Sequence, residues 1–284
     1  MFNYTPVTVE TESLNKYAAL LKACFPNAHH LGSQYLHWLY VDNPCGHAVG
    51  MDAMVGETLA AHYVCIPTRV VVLGKEVKAL LSLNTATHPD YRGKGLFTKL
   101  AELTYQAAAE ANFSLVYGVA NANSTPGFVR KLAFQLASQL DARIGYGRQL
   151  NIAWSRVVEV AEFRRAWDMP QLEWRAKNPT NPVSMFRNSN GYTELYANTD
   201  KKNILVWGEL PIALSASNSS RPNQLKPRLF LGLNPRACSS RNISFSIPNR
   251  LRPSPLNFII RMLDNESYPN SDLVSFSFVD FDAY

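Results

Sequence analysis

Arg92, Gly93, Lys94 and Gly95 follow an apolar run at 79–83 and precede apolar residues at helical spacing. A strand, a glycine-rich turn and a helix start in that order can hold a phosphate. Glycines at 93 and 95 let the backbone curl with its N–H groups pointing inward. The first turn of a helix adds N–H donors that have no acceptor within the helix, together with the positive end of its dipole. Arg92 and Lys94 bring formal positive charge to the same place.

Neither familiar nucleotide loop fits. The run GxxxxGK(S/T) of a P-loop does not occur, and 93–98 reads Gly-Lys-Gly-Leu-Phe-Thr, which fails a dinucleotide fingerprint at its third glycine. What remains, Arg92-x-x-Gly95-x-Phe97, resembles the acetyl-CoA pyrophosphate loop of GNAT-superfamily N-acetyltransferases, Q/R-x-x-G-x-G/A. Phe97 stands where that family has Gly or Ala, so its side chain must point away from the pyrophosphate.

The elements around the loop are those that would position it. Strands are expected at 59–64 and 68–73, separated by Pro67, then a turn at Gly74-Lys75 and a long strand at 77–87. Leu96, Leu100, Leu103 and Ala107 mark one apolar helix face, followed by a buried strand at 113–119. A cap-rich loop, 121–127, leads to a short helix at 128–134. Upstream, 14–25 and 33–40 read as amphipathic helices stopped by Pro26 and by Asn43-Pro44. This order is similar to a GNAT domain from its second strand to its last helix. The resemblance implies an α/β (α+β) GNAT fold, a mixed and mostly antiparallel sheet flanked by helices. It places the acetyltransferase domain at 1–146, followed at 147–284 by a second α/β domain, GNAT-like but degenerate or acceptor-side.

The resemblance also implies a reaction: an amine attacks the thioester carbonyl of acetyl-CoA directly. The enzyme must hold the donor, deprotonate the amine and steady the oxyanion. Asn84, Thr85, Ala86 and Thr87 match the strand end that pairs with the pantetheine arm. Arg92, Gly93, Lys94, Gly95, Leu96 and Phe97 match the pyrophosphate loop. Asn121 and Asn123 fall where the family places a CoA-facing amide, although Asn-Ala-Asn-Ser would also cap the helix that follows. The family's frequent tyrosine acid aligns with Val129, which cannot donate; Tyr117 and Tyr91 are substitutes between which spacing does not choose. For the base, no Asp or Glu lies on 77–87, which leaves Glu57, His62, His88 and the carboxylate of Tyr284. Histidine titrates near neutrality and suits the role. No metal is called for, and a GNAT-fold protein that binds acyl-CoA without catalysis is the alternative.

Composition sets the outer bounds. Apolar residues make up 46% and charged residues 18% of the 284, enough for a packed core. No window approaches a membrane span, and Met1-Phe2-Asn3-Tyr4-Thr5-Pro6 lacks the basic start of a signal peptide. Cysteines 24, 45, 65 and 238 have no metal-like spacing and suit a reducing cytoplasm, with Cys65 reading as core. The net charge of +6 lies mostly in 147–284, with 17 of 28 basic but only 12 of 22 acidic residues. Arg236, Arg241, Arg250, Arg252 and Arg261 form its densest cluster, which reads as a solvated face or a contact for an anionic partner. Nothing has the aromatic interleaving of a nucleic-acid reader, so the expected partner is a small-molecule or sugar amine; self-association stays open. Leu-x-Trp followed by Asn-Pro occurs at 36–44 and again at 172–179, which hints at a repeat. The second half lacks a phosphate loop; a helix is expected at 253–263 and a strand at 273–282.

Overall fold

The computed structural model describes the chain except residues 148–149, 215–216, 218–224, 242–243, 253, 265 and 282–284. It divides into two compact units that are interleaved in sequence. The first comprises Met1–Arg69, Val77–Leu136 and Ile259–Tyr268; the second comprises Val70–Glu76, Ala137–Phe258 and Pro269–Tyr284.

In the first unit, strands β1 (Asn3–Pro6), β2 (Val49–Val55), β3 (Thr58–Val72), β4 (Lys75–Thr87) and β5 (Leu115–Ala120) lie side by side in that order, with the strand Asn257–Met262 beside β5. The β1–β2 and β2–β3 pairs are antiparallel, and β4 runs parallel to β5. Helices α1 (Thr11–Cys24), α2 (Ser33–Tyr40), α3 (Leu96–Glu110) and α4 (Thr125–Lys131) complete the unit. The mixed sheet with flanking helices is the expected α/β GNAT architecture.

Three local readings change. Pro67 does not divide β3; its carbonyl accepts from Asn43 Nδ2 at 2.8 Å, so the strand continues past the missing N–H. The buried face of α3 is Leu96, Leu100, Ala101, Thr104, Tyr105 and Ala108, rather than one running through Leu103 and Ala107. Thr104 tolerates burial because its hydroxyl donates to the Leu100 carbonyl at 2.8 Å within the helix. The expected helix at 253–263 is a strand, because Phe258, Ile259 and Ile260 are buried in a sheet position that favours β-branched and aromatic residues.

The second unit contains an antiparallel meander, Ser184–Arg187, Thr193–Asn198 and Leu205–Leu210, followed by the parallel neighbour Arg228–Leu233. The expected strand at 273–282 is shorter, Val274–Ser277, and turns into a 3-10 turn at Phe278–Asp280, where Ser277 and Asp280 form a capping box. The helix Met169–Ala176 is followed by Asn178, whose Oδ1 accepts from Thr180 N at 3.0 Å; after α2, Asn43 Oδ1 accepts from Cys45 N at 3.1 Å. The two Leu-x-Trp…Asn-Pro segments thus share a helix and a side-chain turn. The basic cluster is in part structural. Arg252 donates to the carbonyls of Ile247 and Leu140 at 2.9 and 3.2 Å, and Arg261 donates to Leu132 O at 2.8 Å, whereas Arg236 and Arg250 are exposed. The Arg241 side chain lies outside the described residues.

Candidate active site

The glycine-rich loop opens from the end of β4. A 3-10 turn, Pro89–Tyr91, is capped by His88, whose ring nitrogen accepts from Asp90 N at 3.3 Å. Gly93 and Gly95 have φ of 76° and 74°, the left-handed region that other residues enter only with strain. A Cβ at either position would meet nothing within 4 Å, so open space lies over the loop. The first intrahelical bond of α3 runs from Lys99 N to Gly95 O at 3.1 Å, which leaves the N–H groups of 96–98 without intrahelical acceptors. Arg92 and Lys94 are exposed beside them. Arg92 Nε donates to Thr87 O at 3.4 Å, and Lys94 Nζ lies over the Tyr91 and Phe2 rings at 5.2 and 5.9 Å. The residues present fit a pyrophosphate.

Leu96 is buried, and Phe97 packs edge-on against Phe128 at 5.2 Å and Tyr63 at 6.0 Å. Its ring therefore belongs to the core cluster and not to the open side of the loop. A Cβ on Gly127 would approach that ring to 3.3 Å, so Gly127 makes room for it.

The β4–β5 ladder runs from Ala79↔Leu115 to Ser82↔Gly118. At Gly118 the strands are close: a Cβ there would lie 3.2 Å from Ser82 O. Two residues later Asn84 has φ of 48°, a left-handed residue inside a strand, which breaks the pleat. The stretch from Asn84 to Thr87 continues β4 beyond the last paired residue of β5, with Ala86 buried and the other three half-buried. Asn121 and Asn123 are exposed on the loop after β5. Asn121 Oδ1 accepts from the N–H groups of Asn123 and Ser124, both at 3.0 Å, so Asn121 organises the entrance to α4. Asn123 is presented by that turn.

The base and acid candidates have very different surroundings. Glu57 is exposed on the β2–β3 turn, and Tyr117 is fully buried in β5. His88 caps the 3-10 turn. Tyr91 packs on Phe2 and His88 with ring centroids 6.0 and 5.7 Å away. Val129 is half-buried on α4, and Tyr284 lies outside the described residues. His62, on β3, is completely buried and is the centre of a polar chain that sequence reasoning missed. Its Nδ1 is 2.6 Å from Asp52 Oδ1, and its Nε2 is 3.2 Å from the Tyr40 hydroxyl. Tyr17 donates to the other Asp52 oxygen at 2.8 Å and stacks on the imidazole with centroids 4.1 Å apart. At the far end Asn84 Nδ2 donates to the Tyr40 hydroxyl oxygen at 3.4 Å. The chain Asp52–His62–Tyr40–Asn84 thus ends at the residue that breaks the β4 pleat. Its Asp52 end reaches a hollow of about 350 Å³ lined by Thr8, Ser13, Lys16 and Tyr17. Burial, and the nearby Asp52 carboxylate, hold the Tyr17 and Tyr40 hydroxyls well above their usual range. In the sequence Asp52 stands four residues before, and His62 five residues after, the Gly56-Glu57 turn that joins β2 to β3.

Comparison with known proteins agrees with this fold. Residues 6–137 match the acetyltransferase (GNAT) domain model. In overall fold the chain is similar to a GCN5-related N-acetyltransferase from Anabaena variabilis, with 12% identity, a TM-score of 0.62 and coverage of 92% of this chain and 73% of that one. It is similar to a probable N-acyltransferase from Enterococcus faecalis at 11% identity and TM-score 0.58, covering 93% and 73%. It also resembles Saccharomyces cerevisiae N-myristoyltransferase with bound myristoyl-CoA at 11% identity and TM-score 0.56, covering 94% and 84%. No curated protein matches in sequence. Over residues 6–137 the chain is thus similar to GNAT acetyltransferase domains, and its fold is that of these acyltransferases. Among the described residues no helix is long and apolar enough to cross a membrane, and no cluster of metal-ligating side chains occurs.

Proposed function

We propose that this acyltransferase moves an acetyl group from acetyl-CoA to a primary amine of a small molecule or amino sugar in the cytoplasm, by direct attack and without an acyl-enzyme. The observation that carries the reading is the left-handed Asn84 beyond the end of the β4–β5 ladder, five residues before the 3-10 turn that leads into the Arg92–Gly95 loop. Arg92, Lys94 and the N–H groups at 93–98 hold the pyrophosphate. The backbone of 84–87 takes the pantetheine arm, and Asn121 and Asn123 face the CoA. His62 draws the proton from the amine through the Tyr40 hydroxyl, while Asp52 fixes its tautomer and stabilises the imidazolium. His62 is buried and so acts as a positioning and relay residue rather than touching the amine. Glu57 and Tyr117 are the remaining candidates for proton transfer. Residues 147–284 are read as a degenerate GNAT-like half that serves the acceptor.

Two observations favour a second reading, an acyl-CoA-binding protein without turnover: the family's usual acid is Val129 here, and His62 has no exposed edge. Release of CoA thiol from acetyl-CoA, screened over amines and amino sugars, separates the two. Acceptor-dependent release supports the transferase. Tight acetyl-CoA binding by calorimetry with no release across the panel supports the binding protein.

A further inference from the structure

The hydrogens of the buried chain around His62 can be assigned from the group at its outer end. The backbone N–H of Thr8 can only donate, and it does so to the Tyr17 hydroxyl oxygen at 3.1 Å. The Tyr17 hydrogen is thereby directed at Asp52 Oδ2, 2.8 Å away. As a carboxylate, Asp52 accepts on both oxygens, so Oδ1 takes the hydrogen of His62 Nδ1 at 2.6 Å. With its hydrogen on Nδ1, the imidazole keeps the Nε2 lone pair for the Tyr40 hydroxyl, 3.2 Å away. Asn84 Nδ2 donates to the Tyr40 oxygen at 3.4 Å, which turns the Tyr40 hydrogen toward Nε2.

Local structure builds this outer end. Val7 N donates to Gly50 O at 2.9 Å, which ties the backbone beside Thr8 to β2, the strand that carries Asp52. Tyr17 comes from α1 and is only 2% exposed. Its ring lies on the imidazole with centroids 4.1 Å apart and planes 22° from parallel. One side chain thus sets both the carboxylate, through its hydroxyl, and the plane of the imidazole, through its ring. Burial, and then the Asp52 charge, hold the hydroxyl well above its usual range, so it stays a neutral donor. A phenylalanine there would keep the stack. It would leave Thr8 N without this acceptor and Asp52 Oδ2 without this donor.

We propose that Tyr17 is a positioning residue of the relay: with the Thr8 N–H it aims Asp52 at His62 Nδ1 and so holds the imidazole in the tautomer whose Nε2 is free to accept. The kinetic consequence rests on the transfer reaction proposed above, whereas the tautomer follows from the order of the hydrogen bonds alone. In the proton step an N–H bond of the acceptor ammonium breaks and an O–H bond forms on Tyr40. The Tyr40 hydrogen passes to Nε2 at the same time. The amine is left neutral, Tyr40 is again a hydroxyl, and the positive charge rests on an imidazolium paired with Asp52. The opposite tautomer, with its hydrogen on Nε2, has no lone pair facing Tyr40 and stops that step.

Two measurements on the full-length protein test it. Long-range nitrogen–proton correlation spectra read which ring nitrogen of His62 carries the hydrogen, and steady-state kinetics read kcat and the acetyl-CoA KM. The wild type should show the Nδ1–H tautomer. Tyr17→Phe should bring in the Nε2–H tautomer and lower kcat roughly tenfold with the acetyl-CoA KM unchanged. Ser13→Ala, on the same hollow but outside the relay, should change neither. An Nε2–H tautomer in the wild type, which is decisive even if Tyr17→Phe does not fold, would overturn the assignment. So would a folded Tyr17→Phe protein with wild-type kcat or an unchanged tautomer. Absence of turnover with every acceptor would instead count against the transferase, and the two tautomers would still decide whether Tyr17 directs Asp52.

Discussion

The imidazole of His62 lies 2.6 Å from the Asp52 carboxylate, and the two residues face each other across the β2–β3 ladder. Both are buried, so their pairing is fixed by the sheet and insulated from salt. Asp52→Asn should keep the packing but favour the wrong imidazole tautomer. If the relay serves catalysis, kcat falls roughly a hundredfold with little change in the acetyl-CoA KM. Tyr40→Phe should lower kcat as well, because it cuts the relay on the Asn84 side. Steady-state kinetics over pH 6–9, beside melting curves, provide the check; a folded Asp52→Asn protein with wild-type kcat would remove His62 from the mechanism.

Gly95→Asp should abolish tight CoA binding. It puts an anion where a pyrophosphate would sit and forces a residue with a Cβ into φ of 74°. The expected loss is at least about 2 kcal/mol, or roughly thirtyfold in Kd. Gly95→Ala has open space around its Cβ and should show the strain without the repulsion. Calorimetry with CoA compares the two; equal Kd values for wild type and Gly95→Asp would move the donor site elsewhere.

Alkali should destabilise the first unit by a mechanism read from burial. Desolvation pushes the Cys65 thiol from its ordinary 9.0 up to about 12 and raises the Tyr17 and Tyr40 hydroxyls above 10.0. The folded protein keeps protons that the unfolded chain releases. The stability these groups contribute is therefore full below pH 9, declines for Cys65 between pH 9 and 12, and declines for the tyrosines above pH 10. Each group contributes a slope of about 1.4 kcal/mol per pH unit within its window. Urea midpoints at pH 8 and 10.5 should differ, and Cys65→Ala should reduce the difference. A midpoint unchanged between these two pH values would contradict the burial argument.

A fragment of residues 1–146 should fold poorly. It lacks Ile259–Tyr268, which belongs to the first unit. Ile259 packs in the same core cluster as Leu80, Val116 and Phe134, and Leu263 N donates to Ser114 O at 2.8 Å. Loss of that segment exposes one side of β5. Circular dichroism during heating should show a broad transition for the fragment and a cooperative one for the full chain; a sharp, reversible melt of the fragment would show that the segment is dispensable.

The sequence by itself determined the loop and its surroundings. Gly93 and Gly95 are legible because only glycine enters the left-handed region freely, and the apolar period of α3 follows the loop directly. Only the neighbours β2–β3 and β3–β4 are joined by short turns, whereas β1–β2 and β4–β5 are joined through helices. The tertiary structure decided what depends on register and on distant partners. A two-residue turn at Gly56-Glu57, continued without interruption from Val55↔Thr58, would set Asp52 opposite Ala61 and His62 one place out of line. A bulge between Ala53 and Met54 shifts the ladder by one residue and brings His62 opposite Asp52. No local signal reports that shift. It was equally impossible to read from the sequence that the segment ending at Met262 joins the first unit as a strand: the pattern Phe258-Ile259-Ile260 suits a buried helix or a buried strand. Its neighbour β5 lies more than a hundred residues away in the chain. The Phe97 ring was constrained only by exclusion, since it had to leave the loop. Phe128, Tyr63 and the space over Gly127 decided where it went.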